Sequence, residues 1–133
     1  MTMTKTLMIV AELAVINWAL IVAASLIKAR AWTPSGMKDA LGNREAAVDC
    51  HGFPARTERA AKNMLENMVL FTALVLIAAV AGKANAMTAM GALVFFWARL
   101  AYAVIYLLGV PWLRTAAWFV SVIGMVMIAW QLF

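Results

Sequence analysis

Four long apolar segments restrict what this chain can fold into. They run roughly over residues 7–27, 56–81, 87–108 and 111–132, and each is close to the ~20 residues that a helix needs to cross the hydrocarbon core of a bilayer. The chain has 133 residues and is 66% hydrophobic, which is more apolar surface than a soluble domain of this size can cover. The sequence therefore predicts an all-α integral membrane protein, folded as a single four-helix bundle over residues 1–133.

The connections between the four segments differ greatly in length. Residues 82–86 and 109–111 have the length of tight turns, with a glycine to end one helix and, in the second turn, a proline to begin the next. Residues 28–55 are instead a long polar loop. Loops of that length in compact proteins are usually functional or disordered.

The distribution of lysine and arginine predicts the orientation in the membrane. Eight of these residues lie in or beside the long loop or just after the last turn, and two lie on the opposite side. The eight are Lys28, Arg30, Lys38, Arg44, Arg56, Arg59, Lys62 and Arg114, and the two are Lys5 and Lys83. The positive-inside rule then makes the loop 28–55 cytoplasmic and puts both termini outside. The short, loop-poor chain favours a bacterial inner membrane over the endoplasmic reticulum.

Two other classes of site are excluded by the same residues. The net charge of +5 comes from basic residues clustered around one loop, without the interleaved aromatics of a nucleic-acid interface, so no nucleic-acid partner is expected. Cys50 is the only cysteine, which rules out an internal disulfide framework. Asp49, Cys50 and His51 are chain neighbours whose side chains do not converge, and we expect no metal.

Polar residues interrupt the second apolar segment near its cytoplasmic end. Arg59, Asn63 and Glu66 are spaced i, i+4 and i+7, so a helix places them in one stripe. Charged groups at the edge of a membrane span are costly and usually face a partner or a cavity. We therefore expect the ligand at this stripe.

The third segment carries a second polar face at the same depth. Arg99, Tyr102 and Tyr106 are spaced i, i+3 and i+7 and share one side of a helix. Arg99 and Glu66 arrive at similar depth with opposite charge, which predicts a structural ion pair between the two helices. The alternative is that these residues bind no ligand. Glu66 and Arg99 would then be a structural pair only, and both tyrosines would belong to the interfacial aromatic belt.

Together these residue types suit the recognition of a small zwitterionic anion. Arginine offers a fork to carboxylates, glutamate accepts from an ammonium group, and asparagine and tyrosine complete the hydrogen bonds. Arg114 lies just beyond the last turn, where its charge would lower the pKa of a thiol or hydroxyl and stabilise the anion.

The Arg-Ala-x-x-Asn-x-x-Glu run of residues 59–66, followed at position 71 by Phe71, resembles the signature of the MAPEG family (membrane-associated proteins in eicosanoid and glutathione metabolism). That family includes the microsomal glutathione transferases. Ala98-Arg99, followed by two tyrosines and by Arg114, is similar to the family's third helix and its approach to the fourth. The similarity spans most of the chain.

The resemblance implies a four-helix protomer, a homotrimer, and glutathione bound as co-substrate between neighbouring protomers on the cytoplasmic side. It assigns contacts with glutathione to Arg59, Asn63, Glu66, Tyr102 and Tyr106, further contacts to Arg56 and to Arg30 of the adjacent protomer, and the catalytic role at the thiol to Arg114. Ala61 departs from the family, whose enzymes often carry Gln or His there.

The predicted function is a membrane-bound glutathione-dependent transferase or peroxidase, which acts on an apolar small molecule or lipid by thiolate activation. One alternative is a non-catalytic lipid-binding or scaffold member of the same family. A second is a small multidrug transporter, suggested by the lone Glu12 in the first segment. The long cytoplasmic loop and the intramembrane arginines argue against a transporter, and we expect Glu12 and Asn17 to face the bundle or the trimer axis.

Overall fold

The computed structural model describes residues 2–43 and 49–133, with side chains from residue 5 onward. Arg44, one of the basic residues counted for the orientation, lies outside these ranges. The described residues form five helices and no strand: α1 (Thr2–Ala29), α2 (Pro34–Leu41), α3 (Gly52–Val80), α4 (Ala86–Leu108) and α5 (Pro111–Trp130). Four of them (α1, α3, α4 and α5) are long and apolar enough to cross a membrane. The predicted all-α fold with four membrane spans is confirmed.

The long polar loop is the part of the fold that the sequence prediction described wrongly. It contains the eight-residue helix α2, which begins at Pro34 and ends at Leu41, with Gly42 as its C-cap. Thr33 caps the start of α2, because its Oγ1 accepts a hydrogen bond from the backbone N–H of Gly36 at 3.0 Å. The helices α1 and α3 also extend further into the connection than predicted, to Ala29 and back to Gly52.

Contacts between chain-distant residues define the two ends of the bundle. At one end, which we call the loop end, Lys28 Nζ lies 2.7 Å from Glu58 Oε1, and Arg56 Nε donates to the carbonyl oxygen of Leu107 at 3.2 Å. At the opposite end, the far end, the side chain of Asn85 donates to Gln131 at 2.8 Å. The ends of α1 and α4 and the starts of α3 and α5 therefore meet at the loop end.

The helix α1 is followed by a residue whose backbone conformation is unusual for a residue other than glycine. Arg30 has φ +51°, which is left-handed backbone that is normally left to glycine. Its N–H donates to the carbonyl of Ile27 at 3.2 Å, and the next N–H, of Ala31, donates to Leu26 at 3.0 Å. These two bonds are the Schellman pattern of a helix end, with arginine at the position where glycine is preferred.

The apolar core joins all four spans. The rings of Phe71 on α3 and Phe95 on α4 stack with centroids 4.0 Å apart, and Leu13 on α1 and Ile128 on α5 are fully buried beside them. This stack ties the two central helices together at mid-length.

The helices α4 and α5 cross at two glycines. A Cβ added to Gly91 would lie 2.7 Å from the carbonyl oxygen of Gly124, and one added to Gly124 would lie 2.7 Å from that of Gly91. The backbones therefore touch, as at the small-residue crossings of membrane helices.

Two polar residues of α1 lie away from the loop end. Asn17 is buried, and its Oδ1 has no hydrogen-bond partner within the described residues. The side chain of Glu12 is exposed on the surface of this chain, so it does not face the bundle interior. The expectation that Glu12 faces the interior of its own bundle was wrong, and the trimer axis remains a prediction.

Candidate functional site

Arg99 is the largest fully buried side chain of the described residues. Its Nη2 donates to Asn63 Oδ1 at 2.9 Å, and its Nε donates to Met64 Sδ at 3.4 Å. The guanidinium carbon lies 4.3 Å from the centroid of the Tyr102 ring. Nη1 is buried and has no hydrogen-bond partner in the part of the chain that the structure covers. An amide, a thioether and an aromatic face thus hold this buried cation in place of a carboxylate.

The predicted ion pair between Glu66 and Arg99 is not formed within this chain. The ion pairs of the described residues do not include it, and the Glu66 side chain is exposed. The reason is the direction of Glu66 around α3. Met64 is fully buried and faces Arg99, and Asn63 accepts from it, whereas Glu66 lies about 60° beyond Asn63 and about 160° from Met64, on the exposed edge of the stripe. Glu66 and Arg99 thus lie at similar depth along the bundle, but their side chains do not meet.

A second group of contacts surrounds Tyr106. The Nε of Arg59 donates to the Tyr106 hydroxyl at 3.2 Å, and the guanidinium carbon of Arg114 lies 4.8 Å from the centroid of the same ring. The rings of Tyr102 and Tyr106 meet edge to face with centroids 5.5 Å apart. The helices α3, α4 and α5 thus each contribute a side chain to this one point. We refer to Arg59, Asn63, Arg99, Tyr102, Tyr106 and Arg114 as the arginine–tyrosine cluster.

The turn between α4 and α5 brings Arg114 back over the ring of Tyr106. Gly109 ends α4 with φ +79°, and Pro111 begins α5. Glycine adopts this left-handed backbone without strain, and proline at the first helical position has no N–H to leave unpaired. The chain therefore reverses within two residues, and Arg114 lies one turn into α5, beside the last turn of α4.

A small residue on α3 makes room for the two aromatic rings. Ala60 is 1% exposed and packs against Tyr102 and Tyr106, with Ala117 and Trp118 of α5 at the edge of the same group. A larger side chain at position 60 would occupy the space that the rings fill. Side chains of α3, α4 and α5 therefore pack the two tyrosines within the bundle, so they are not residues of an interfacial aromatic belt.

The charges of the cluster are unbalanced. The ion pairs of the described residues, Lys28–Glu58 at 2.7 Å and the long Asp49–His51 contact at 3.9 Å, leave out both Arg59 and Arg114. Glu66 is the acidic residue within electrostatic reach of Tyr102, and its carboxylate has no ion-pair partner in the described parts of the chain. The site thus offers two guanidinium groups to an anion and one carboxylate to a cation.

Arg56 and Arg30 lie in different places relative to the cluster. Arg56 is at its rim, because its Nε donates to the carbonyl of Leu107 and its guanidinium lies beside Gly109. Arg30 is exposed in the turn between α1 and α2, and none of its hydrogen bonds within the described residues reaches the cluster. A contact from Arg30 to the site of an adjacent protomer stays a prediction.

Two residues that support the cluster were not assigned a role from the sequence. Asn67 is buried, and its Nδ2 donates to the backbone oxygen of Asn63 at 2.9 Å and lies 3.4 Å from Asn63 Oδ1, which orients the amide that receives Arg99. Its position four residues after Asn63 was the available signal. Met64 gave no such signal, because a methionine in an apolar segment is normally a packing residue.

No group of histidine, cysteine and acidic residues that could hold a metal is present among the described residues. The sequence model of the MAPEG family matches residues 6–133. No curated protein and no solved structure was found to match the chain. With four apolar spans and a family match over essentially its whole length, the chain is an integral multi-pass membrane protein that belongs to the MAPEG family.

Proposed function

We propose that this protein is a membrane-bound glutathione-dependent transferase or peroxidase, with its thiol site at the arginine–tyrosine cluster. The observation that carries the proposal is the convergence of Arg59 and Arg114 on Tyr106 without a carboxylate partner in the described chain. Arg59 is exposed and Arg114 is half-buried at the end of the bundle, so both guanidinium groups are accessible to an anion.

Glutathione matches the charges of this site. It carries two carboxylates, one ammonium group and one thiol, and guanidinium groups bind carboxylates through two parallel N–H bonds. We assign the carboxylates to Arg59 and Arg56, which lie in and at the rim of the cluster, and the ammonium group to the exposed carboxylate of Glu66. In a homotrimer, Arg30 of the adjacent protomer would complete the site. Its exposed position in the α1–α2 turn is compatible with that role.

Arg114 would act on the thiol. A nearby cation stabilises the thiolate relative to the thiol, which lowers the thiol pKa and increases the nucleophilic fraction at neutral pH. The thiolate sulfur then attacks the electrophile, the new bond to sulfur forms, and the leaving group departs with its electron pair. An apolar electrophile would arrive from the bilayer. The protein would contribute orientation and a lowered thiol pKa, without a covalent intermediate of its own.

The charge pattern supports an orientation for the site. The loop end carries the basic residues of the long connection and of the last turn, so the positive-inside rule makes it cytoplasmic, with both termini outside. In a bacterial inner membrane this orientation would expose the cluster to cytosolic thiols.

Glutathione binding to the purified protein tests the proposal. Arg59→Ala should weaken binding roughly 10- to 100-fold, because a hydrogen bond to a charged group contributes about 1.5–3 kcal/mol. Lys83→Ala removes the same charge at the far end and should leave binding unchanged, as measured by equilibrium dialysis in detergent. Wild-type protein that fails to bind glutathione, or equal effects of the two variants, would contradict the site.

One observation favours a second candidate, a non-catalytic lipid-binding or scaffold member of the family. Arg99 donates to Asn63 through Nη2, and Asn67 donates to the backbone of Asn63, so these two bonds form inside the chain without a ligand. Turnover separates the two candidates. Glutathione binding without conjugation of any apolar electrophile, and without reduction of any lipid hydroperoxide, would favour the scaffold.

A further inference from the structure

The short helix α2 has an apolar side that the rest of the described chain does not cover. Met37 is 44% exposed and Leu41 is 82% exposed, and Trp32, two residues before the helix, is 70% exposed. Among the described helices, α2 packs against α1 alone. Three large apolar side chains are therefore exposed in a segment that the sequence suggested was a polar loop.

The polar residues of α2 lie on the other side. Asp39 is two residues from both Met37 and Leu41, which places it about 160° around the helix from each of them. Asp39 and Ser35 are exposed there, while Lys38 is at the border between the two sides. A lysine at such a border can lie along an apolar surface and extend its ammonium group to water or to a phosphate. The distribution is that of an amphipathic helix with an apolar side, a charged side and a basic edge.

The fold holds α2 at the level where α1 leaves the membrane. The span of α1 ends at Ala29, and α2 begins five residues later at Pro34. Gly36 is buried against the end of α1, and a Cβ added there would collide with the carbonyl oxygens of Ala29 and Arg30. The Schellman end at Arg30 and the Thr33 cap fix the angle between the two helices. The helix α2 is therefore held against the end of α1 and is not a free loop.

We propose that α2 is an interfacial helix that lies in the headgroup region of the bilayer at the loop end, with Met37 and Leu41 turned toward the acyl chains. Trp32 stands at the depth where tryptophan is favoured in membrane proteins, and Lys38 is placed to meet anionic headgroups. The bilayer is the occupant that the charges favour, because the exposed Met37 and Leu41 follow the end of a membrane span and are bordered by Lys38, which suits anionic headgroups.

Site-directed labelling of the full-length protein tests this placement. In a Cys50→Ser background, a fluorescent label is attached at Leu41→Cys or, as the matched control on the opposite side, at Asp39→Cys. Each protein is reconstituted into vesicles of phosphatidylcholine and phosphatidylglycerol. Quenching is then measured with a lipid that carries a nitroxide near its headgroup and, separately, with aqueous iodide. Met37→Cys, one turn earlier on the apolar side, repeats the measurement should Leu41→Cys fail to reconstitute.

The expected result is quenching by the lipid nitroxide that is several-fold stronger at position 41 than at position 39, with the reverse order for iodide. Equal iodide quenching at the two positions would overturn the proposal by placing α2 in water. A label at position 41 that is shielded from both quenchers would also overturn it, since a second copy of the chain or another protein would then cover this side. Neither outcome depends on whether the protein binds glutathione.

Discussion

At the scale of single residues, the direction of a side chain around its helix decides the chemistry of the cluster. Glu66 and Arg99 have opposite charge and similar depth, yet Arg99 bonds to Asn63 and Met64 because these side chains lie on or next to the face of α3 that meets α4. The carboxylate of Glu66 then has no ion-pair partner in the described residues. A structural ion pair would have neutralised the site, whereas the observed arrangement keeps both signs of charge available.

A double-mutant cycle measures whether Arg99 interacts with Asn63 or with Glu66. Arg99→Met and Asn63→Ala should show a coupling free energy of about 1.5 kcal/mol or more, the size of a hydrogen bond to a charged group. Arg99→Met and Glu66→Gln should be additive within about 0.5 kcal/mol, as expected for residues without a direct contact. Unfolding in mixed micelles gives the free energies. Strong coupling of Arg99 to Glu66 and weak coupling to Asn63 would show instead that Arg99 and Glu66 form an ion pair.

A substitution at Arg30 should have opposite effects on stability and on glutathione binding. The left-handed backbone of Arg30 costs a non-glycine residue about 1–2 kcal/mol, so Arg30→Gly should raise the free energy of unfolding by about 1 kcal/mol. If Arg30 serves the site of an adjacent protomer, the same change should weaken glutathione binding. Thermal unfolding and dialysis on one preparation test both effects. A variant that is more stable and binds normally would assign Arg30 to the turn alone.

At the scale of helices, close backbone contact between α4 and α5 positions the site from a distance. The Gly91–Gly124 crossing fixes how α5 lies on α4, and the turn at Gly109 then carries Arg114 over Tyr106. The crossing lies toward the far end of the bundle, and α5 carries its geometry from there to the loop end.

Gly91→Ala tests the crossing. The added Cβ would lie 2.7 Å from a backbone oxygen that cannot move aside, so the helices must separate, at a cost of roughly 1–3 kcal/mol. The thermal midpoint should fall measurably. Met90→Ala, at the exposed neighbouring position, should change it little. A Gly91→Ala protein as stable as wild type would show that α4 and α5 are not in backbone contact.

Sequence patterns predicted those features that depend on hydrophobicity and charge along one helix. The four spans, the Gly-Pro turn at 109–111 and the polar stripes on α3 and α4 all have local signals, and the structure contains each of them. The partner of Arg99 and the Gly91–Gly124 contact depend on how two helices are rotated against each other, which no single segment encodes. The helix α2 was missed because its eight residues are too few for an apolar period to stand out within a polar loop, although Thr33-Pro34 is a helix-start signal.

At the scale of the whole molecule, the orientation of the bundle decides which compartment the arginine–tyrosine cluster faces. Cys50 is the only cysteine of the chain and lies in the connection at the loop end, where it is partly exposed. It is therefore a natural reporter for the side of the membrane on which the long connection lies.

Labelling with a membrane-impermeant maleimide tests the orientation in a bacterial expression host. Cys50 should react in inverted inner-membrane vesicles and stay unlabelled in right-side-out vesicles. Lys83→Cys in a Cys50→Ser background, at the exposed far-end turn, should show the opposite pattern. The reverse result for both positions would place the cluster outside and remove cytosolic thiols as its substrates.

The proposed activity requires that the protein bind glutathione as its thiolate beside Arg114, and ultraviolet absorbance of the thiolate in the detergent-purified protein measures this most directly. We predict that glutathione added to the wild type gives a thiolate band that persists to lower pH than for free glutathione, because a lowered thiol pKa keeps the anion populated. Arg114→Ala should abolish the band while glutathione still binds, and Arg59→Ala should reduce binding and band together. Bound glutathione without a thiolate band in the wild type, or a band unchanged in Arg114→Ala, would contradict the account.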